Sequence, residues 1–179
     1  MPNKFTYQVL RDSTTDAVIK LTGQFDGSGQ EANNARIVAN TFYGALDANG
    51  VPLRSALSVS NTPLPFYGLQ LTQCQYFVNM PTNNPPGSVE LYWSGDTPAN
   101  NATIFYLNYN GEFGSQQQPA INNNALGPKV GNLGVNTYGA IANTAYTLVL
   151  TFRKDNAHYQ RGQFNDPAAF NYGTYKQTP

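Results

Sequence analysis

The side chains of this chain that could carry out chemistry are few and widely separated. Its 179 residues contain ten Asp and Glu, one His and one Cys. A glycosidase needs two carboxylates that face each other across a cleft, whereas the acids here lie singly, mostly beside turns. Cys74 would need a basic partner to act as a nucleophile, and His158 lies far along the chain in a polar segment. We therefore expect no catalytic residues and no enzymatic activity.

Metal and cofactor sites are also weakly represented. The segment DGSGQE places Asp26 and Glu31 in one short loop, but a Ca²⁺ site needs several oxygen ligands at close spacing. One Cys and one His do not supply the ligand set of a zinc site. The chain has no phosphate-cradling glycine loop. We expect no metal and no cofactor.

Composition restricts the partners of the protein. Charged residues make up 11% of the chain and the formal net charge is +0. Binding of nucleic acid or of an anionic membrane surface requires clustered Lys and Arg, so neither is expected. The N-terminus does not resemble a signal peptide, and no apolar run approaches the roughly 20 residues of a membrane span. We expect synthesis in a cytoplasm and a neutral, Tyr- and Asn-rich surface that favours association.

The clearest predicted element is the stretch 88–109, SVELYWSGDTPANNATIFYLNY. Val89, Leu91 and Trp93 alternate with other residues, and a second alternating run follows a cluster of turn residues. Two such runs predict antiparallel strands that share a buried face. We expect Trp93, the only tryptophan, to anchor the core. By the same alternation, Cys74 is predicted to be a buried free thiol in a strand.

Similar runs recur along the chain. We predict further strands over residues 5–10, 17–25, 35–43, 55–60, 69–78 and 143–154. Short, evenly spaced strands with Gly, Pro and Asn turns favour an all-β, antiparallel β-sandwich, and we choose a jelly-roll-like order. Residues 111–131 are predicted to be a long loop. Residues 1–154 would form the domain and 155–179 an extended C-terminal arm.

Aromatic residues suggest two kinds of contact surface. Aromatic anchors on an arm can fill pockets of a partner, or they can fold back over the sandwich itself. The candidates for partner binding are Tyr159, Phe164, Phe170, Tyr172 and Tyr175. Exposed rings could instead stack on sugars, and the candidates for such a face are Tyr92, Trp93, Phe105, Tyr106 and Tyr109. Aromatics that alternate along strands more often form core on one side and packing surface on the other.

Five segments are spread along most of the chain: FTYQVLRDSTTDAVIKLTGQFDGSG, ARIVANTFYGALD, VELYWSG, YTLVLTFRK and DPAAFNYG. In their order and composition they resemble small virion structural proteins of tailed phages, especially phages that infect cyanobacteria. None is a chemical motif. The Pro-rich segments NTPLPFYG and MPTNNPPG and the loop QQQPAINNNALGP depart from the tighter pattern of those proteins. The resemblance implies a non-enzymatic particle component, head-decorating or neck-associated.

Together these observations predict a capsid decoration (cement) protein that resides in the virion. It would bind the major capsid protein and copies of itself, for example as a trimer, through non-covalent contacts that add up by multivalency. The arm from residue 155 and the loop 111–131 are expected to reach these neighbours. Two alternatives stay open: a neck, tail or fibre component, and a β-sandwich module that binds host glycan.

Overall fold

The computed structural model describes residues 3–53, 63–82, 86–114, 119–125 and 131–160, which form two antiparallel β-sheets packed face to face. The strands are β1 (Lys4–Asp12), β2 (Asp16–Gln24), β3 (Asn34–Ile37), β4 (Leu69–Asn79), β5 (Ser88–Trp93), β6 (Ala102–Leu107), β7 (Asn110–Phe113), β8 (Ile121–Asn122), β9 (Leu133–Tyr138) and β10 (Ala145–Lys154). Short 3-10 turns span Ala39–Thr41 and Pro98–Asn100. The predicted all-β sandwich is confirmed.

The first sheet has six strands, with the order β1-β2-β10-β4-β7 and with β8 paired to β4. The second sheet has four strands in the order β3-β9-β5-β6. The two sheets therefore differ in width, and β1 forms one edge of the wider sheet. In the part of the chain that the structure describes, no helix is long and apolar enough to cross a membrane.

The core lies between the sheets and follows the period-2 pattern of the strands. On β10, for example, Leu148 and Leu150 are fully buried and lie opposite Leu21 and Ile19 of β2. Trp93 of the second sheet packs edge-on against Phe152 of the first, with ring centroids 6.3 Å apart. The predicted role of Trp93 as a core anchor is thus confirmed.

Most predicted strands are present, but three regions differ from the prediction. The predicted strand 35–43 ends at Ile37, because the hydroxyl and backbone N–H of Thr41 both bond to the carbonyl of Val38 and form a 3-10 turn instead. The predicted loop 111–131 contains the short strands β7 and β8, and β9 was not predicted at all. The predicted strand 55–60 lies outside the described residues.

The first residues of the predicted arm, as far as residue 160, pack against the sandwich. Tyr159 is fully buried, its hydroxyl donates to the carbonyl of Ala39 at 2.8 Å, and its ring packs 5.6 Å from that of Tyr67. The backbone N–H of Gln160 donates to the carbonyl of Gly44 at 2.7 Å. Tyr159 and Gln160 therefore contact the sandwich, although they lie beyond the predicted boundary at residue 154. Residues 161–179 lie outside the described residues.

Candidate functional site

The residues that could have carried out chemistry are engaged in structural contacts. Cys74 is a free thiol that faces the core, and burial raises its pKa to about 12, so the reactive thiolate is scarce at neutral pH. His158 lies with Nδ1 2.7 Å from Oδ2 of Asp155, and its ring meets Phe66 edge-on. Neither residue has the arrangement of an activated nucleophile and its base.

The two acids of the DGSGQE loop point to different partners. Hydrogen bonds from Ser28 lower the pKa of Asp26, which is exposed. Glu31 is buried, which raises its pKa, and it accepts a hydrogen bond from the hydroxyl of Tyr146 at 2.7 Å and pairs with Arg36. Among the described residues, no group of three or more His, Cys, Asp or Glu side chains could hold a metal ion.

Strand β1 exposes apolar side chains in its middle, on the face that is buried in the neighbouring strand. Tyr7 and Val9 are each 43% exposed, whereas their cross-strand partners on β2, Leu21 and Ile19, are buried. Opposed residues of an antiparallel pair point to the same face of the sheet. The second sheet therefore covers the inner face of β2 but stops short of the middle of β1.

Both ends of β1 are tied to the rest of the protein. At the N-terminal end, the ring of Phe5 packs edge-on against Phe25, and the guanidinium of Arg36 lies 4.2 Å from the centre of the Phe5 ring. At the C-terminal end, Oδ2 of Asp12 accepts a hydrogen bond from the backbone N–H of Tyr43 at 2.8 Å. The exposed middle of β1 is thus held in an extended strand.

The free edge of β1 has no strand partner among the described residues. Its nine residues make it the longest edge strand of the two sheets. A bulge at Leu10, between Val9 and Arg11, and the charged Lys4 and Arg11 near its ends limit uncontrolled pairing. The stretch between these charges is uncharged, and its inner-face residues Phe5, Tyr7 and Val9 are apolar.

A second surface lies on the outer face of the second sheet, around a carboxylate. Glu90 of β5 lies opposite Tyr106 of β6 and Asn136 of β9. Its carboxylate accepts hydrogen bonds from Thr103, from Asn136 at 2.8 Å and from the hydroxyl of Tyr138 at 2.6 Å. We call these five residues the Glu90 cluster.

The Glu90 cluster keeps its carboxylate charged and Tyr138 protonated. Burial by itself would raise the pKa of Glu90, but donated hydrogen bonds outweigh that effect and the pKa is lowered. The bond to Glu90 raises the pKa of Tyr138 to about 12. Tyr106 and Tyr138 are 60% and 46% exposed, and their ring centroids are 6.2 Å apart at 49°. The result is an exposed pair of rings above a fixed negative charge.

The floor beside this ring pair is formed by Tyr92 and Gly134. These residues are cross-strand partners, and a Cβ at Gly134 would lie 2.7 Å from Cε2 of Tyr92. Tyr92 is buried although it points to the outer face. Its ring therefore lies flat across the glycine and closes the sheet surface next to the Glu90 cluster.

A third surface is an open depression on the outer face of the first sheet. It has a volume of about 470 Å³ and is lined by Gln75, Tyr76, Phe77, Gly111, Glu112, Thr147 and Val149. Its single acid, Glu112, has no second carboxylate within the lining. This depression offers contact area without a constellation for catalysis.

The structure separates the predicted contact residues. Tyr159 belongs to the core, so its ring is not an exposed anchor, and Phe164, Phe170, Tyr172 and Tyr175 lie outside the described residues. Of the predicted sugar face, Tyr92 and Trp93 are buried, Phe105 packs against Phe113, and Tyr106 and Tyr109 are exposed.

Sequence reasoning missed Glu90, Asn136 and Tyr138. The alternation of Leu133, Val135 and Thr137 could have indicated the strand that carries two of them.

No protein-family model matches this chain, and neither do any of the curated proteins or solved structures with which it was compared.

Proposed function

We propose that the protein is a structural component of a tailed-phage virion, a capsid decoration protein that binds capsid subunits and copies of itself without covalent bonds. The observation that carries this proposal is β1. Its middle exposes Val9 at an edge that pairs with no other described strand, although Ile19, opposite Val9 on β2, is buried. A neighbouring subunit that adds a strand at this edge would form hydrogen bonds with its backbone and cover the side chain of Val9.

The pairing of strands supports a jelly roll, an architecture found in viral capsid and lectin domains. Apart from β1 and the two-residue β8, eight strands remain. The first pairs with the last (β2 with β10), the second with the next to last (β3 with β9), and so on inward (β4 with β7, β5 with β6). A long hairpin that folds over into two sheets has this nested pairing. In such a jelly roll, β1 is an additional strand at one edge of the first sheet.

The charge of the chain also supports a role in assembly. A formal net charge of +0 gives little repulsion between copies. The resemblance of five sequence segments to small tailed-phage virion proteins directs the proposal to the phage particle. A protein of the neck, tail or fibre would use the same strand edge for its contacts. Binding experiments are therefore needed to decide where on the virion the protein is located.

The test uses the full chain with emptied capsids and isolated tails of the phage that encodes it. We expect self-association in size-exclusion chromatography with light scattering, and co-sedimentation with capsids. Val9→Lys places a charge where a partner would bury an apolar group, and we expect it to weaken both interactions about tenfold or more, equivalent to about 1.4 kcal/mol.

Phe77→Lys is the matched control. Phe77 is also an exposed apolar residue of the first sheet, but it lies on β4, away from β1, and we expect this variant to bind like the wild type. A protein that stays monomeric at high concentration and binds neither capsids nor tails would contradict the proposal. Binding to isolated tails but not to capsids would show that the protein is a component of the tail rather than of the capsid.

A further inference from the structure

We infer that Tyr106 and Tyr138, the exposed ring pair of the Glu90 cluster, form a binding platform for a neutral saccharide. The platform goes beyond the proposed role in assembly and does not depend on it. It lies on the outer face of the second sheet, whereas β1 is an edge of the first sheet. One copy of the chain could therefore use both surfaces at once.

The first argument is that the exposed ring of Tyr138 is held in place before any ligand binds, with the ring of Tyr106 6.2 Å from it. The hydroxyl of Tyr138 donates to Oε2 of Glu90 at 2.6 Å, and Asn136 donates to the same oxygen at 2.8 Å. Asn136 is itself fixed, because its amide oxygen accepts the backbone N–H of Asn33 at 2.6 Å. Rings that are already fixed lose little conformational entropy when a ligand stacks on them.

The second argument concerns what Glu90 does. A carboxylate has about four acceptor positions. Thr103, Asn136 and Tyr138 donate to it directly. Glu90 is therefore a positioning residue for the platform and has little capacity left for a ligand. The ligand would meet the ring faces of the tyrosines and the oxygen lone pairs of their hydroxyls.

The third argument selects the class of ligand. The fixed negative charge beneath the rings disfavours a phosphate or an acidic sugar. The surrounding side chains, Thr103, Asn136 and Ser88, carry hydroxyl or amide groups. A protein partner would need a wider apolar patch around the rings. A neutral pyranose has an apolar C–H face for a tyrosine ring and hydroxyl groups at its rim, which fits this surface.

The test combines a printed glycan array, which includes neutral and acidic glycans, with calorimetric titration of the hits. Cellohexaose and the N-acetylglucosamine hexamer are titrated as neutral probes in any case. We expect binding of at least one neutral glycan. Tyr106→Ala and Tyr138→Ala should each weaken it about tenfold or more, the loss of a stacked ring. Tyr138→Phe keeps the ring but loses the bond to Glu90, and a smaller loss is expected.

Tyr109→Ala is the matched control. Tyr109 is as exposed as Tyr106, at 62%, but does not belong to the Glu90 cluster, so this variant should bind normally, as should Val9→Lys. Circular dichroism checks that each variant is folded. The inference is overturned if no neutral glycan binds or if only acidic glycans bind. It is also overturned if the hits are insensitive to Tyr106→Ala, or if that variant reduces capsid binding while no glycan binds.

Discussion

The ring of Tyr146 on β10 lies across Gly23, its cross-strand partner on β2. A Cβ at Gly23 would lie 2.8 Å from Cζ and 2.9 Å from Cδ1 of that ring. The ring cannot swing away freely, because it is buried and its hydroxyl is bonded to Glu31. The same arrangement recurs where Tyr92 lies over Gly134. Tyrosine–glycine pairs across neighbouring strands therefore shape the surfaces of both sheets.

Gly23→Ala is expected to lower the free energy of unfolding by about 1–3 kcal/mol, the usual cost of overpacking a core. Gly29→Ala is the control, since a Cβ at Gly29 would meet no atom within 4 Å, and it should change stability by less than about 0.5 kcal/mol. Chemical denaturation measures both. In a double-mutant cycle, Gly23→Ala should cost less when Tyr146 is already alanine; equal costs in both backgrounds would rule out the steric explanation.

Tyr159 is expected to be a core residue in solution as well. Tyr159→Ala removes a fully buried ring beside Tyr67 and should cost about 3–5 kcal/mol of stability. Tyr159→Phe leaves the carbonyl of Ala39 without its donor and should cost about 1 kcal/mol. Thermal unfolding gives both values. Tyr109→Ala, at an exposed position, serves as the control; if Tyr159→Ala were as stable as this control, the ring would be an external anchor after all.

The buried ammonium of Lys154 predicts a strong dependence of stability on Asp12. Lys154 pairs with Asp12 and also donates to the carbonyls of Ser13 at 2.6 Å and Tyr43 at 2.9 Å. Burial lowers the pKa of Lys154. Asp12→Ala leaves this charge without its counter-ion and should cost about 3 kcal/mol.

The control for Asp12 is Arg11→Ala, because Arg11 forms an exposed ion pair with Asp16 and exposed pairs contribute about 0–1 kcal/mol. Urea unfolding curves measure the two losses side by side. If Asp12→Ala lowered the free energy of unfolding no more than Arg11→Ala does, the ammonium of Lys154 would have to be hydrated in the folded protein.

Alkaline pH is expected to unfold the protein through its buried tyrosines. Burial raises the pKa of Tyr92 to about 12, and it raises the pKa values of Tyr146 and Tyr159 further. Between pH 10 and pH 12 the unfolded chain loses protons that the folded protein keeps, so the free energy of unfolding falls as pH rises. This contribution to stability is complete below pH 10, the ordinary pKa of tyrosine.

The measurement is a tyrosinate absorbance titration alongside circular dichroism. In denaturant, all twelve tyrosines should titrate near their ordinary pKa. In native buffer, part of the signal should appear only as the fold is lost. Complete titration near pH 10 with an intact dichroism spectrum would show that these rings are accessible to water.

The strands that sequence reasoning predicted correctly have an uninterrupted alternation of apolar residues. The N-terminal hairpin and β10 are examples, because every second residue of β2 and β10 enters the core. The strand 35–43 was predicted too long because Ile37, Val38 and Thr41 favour strands, whereas Thr41 bonds locally to the carbonyl of Val38. Strand β9 was not predicted because it contains Gly134, and glycine is typical of turns. The structure shows why a glycine is present in this strand: its cross-strand partner is Tyr92.

The sequence by itself determined the all-β class, the neutral surface and the residues that alternate toward a core, since these depend on composition and on the two-residue period of a strand. It could not distinguish Tyr7 and Val9 from Leu21 and Ile19, which show the same alternation. Only the tertiary structure decided which were covered, because coverage depends on the unequal widths of the two sheets. The strand register likewise decided that Glu90 meets Tyr138, 48 residues away.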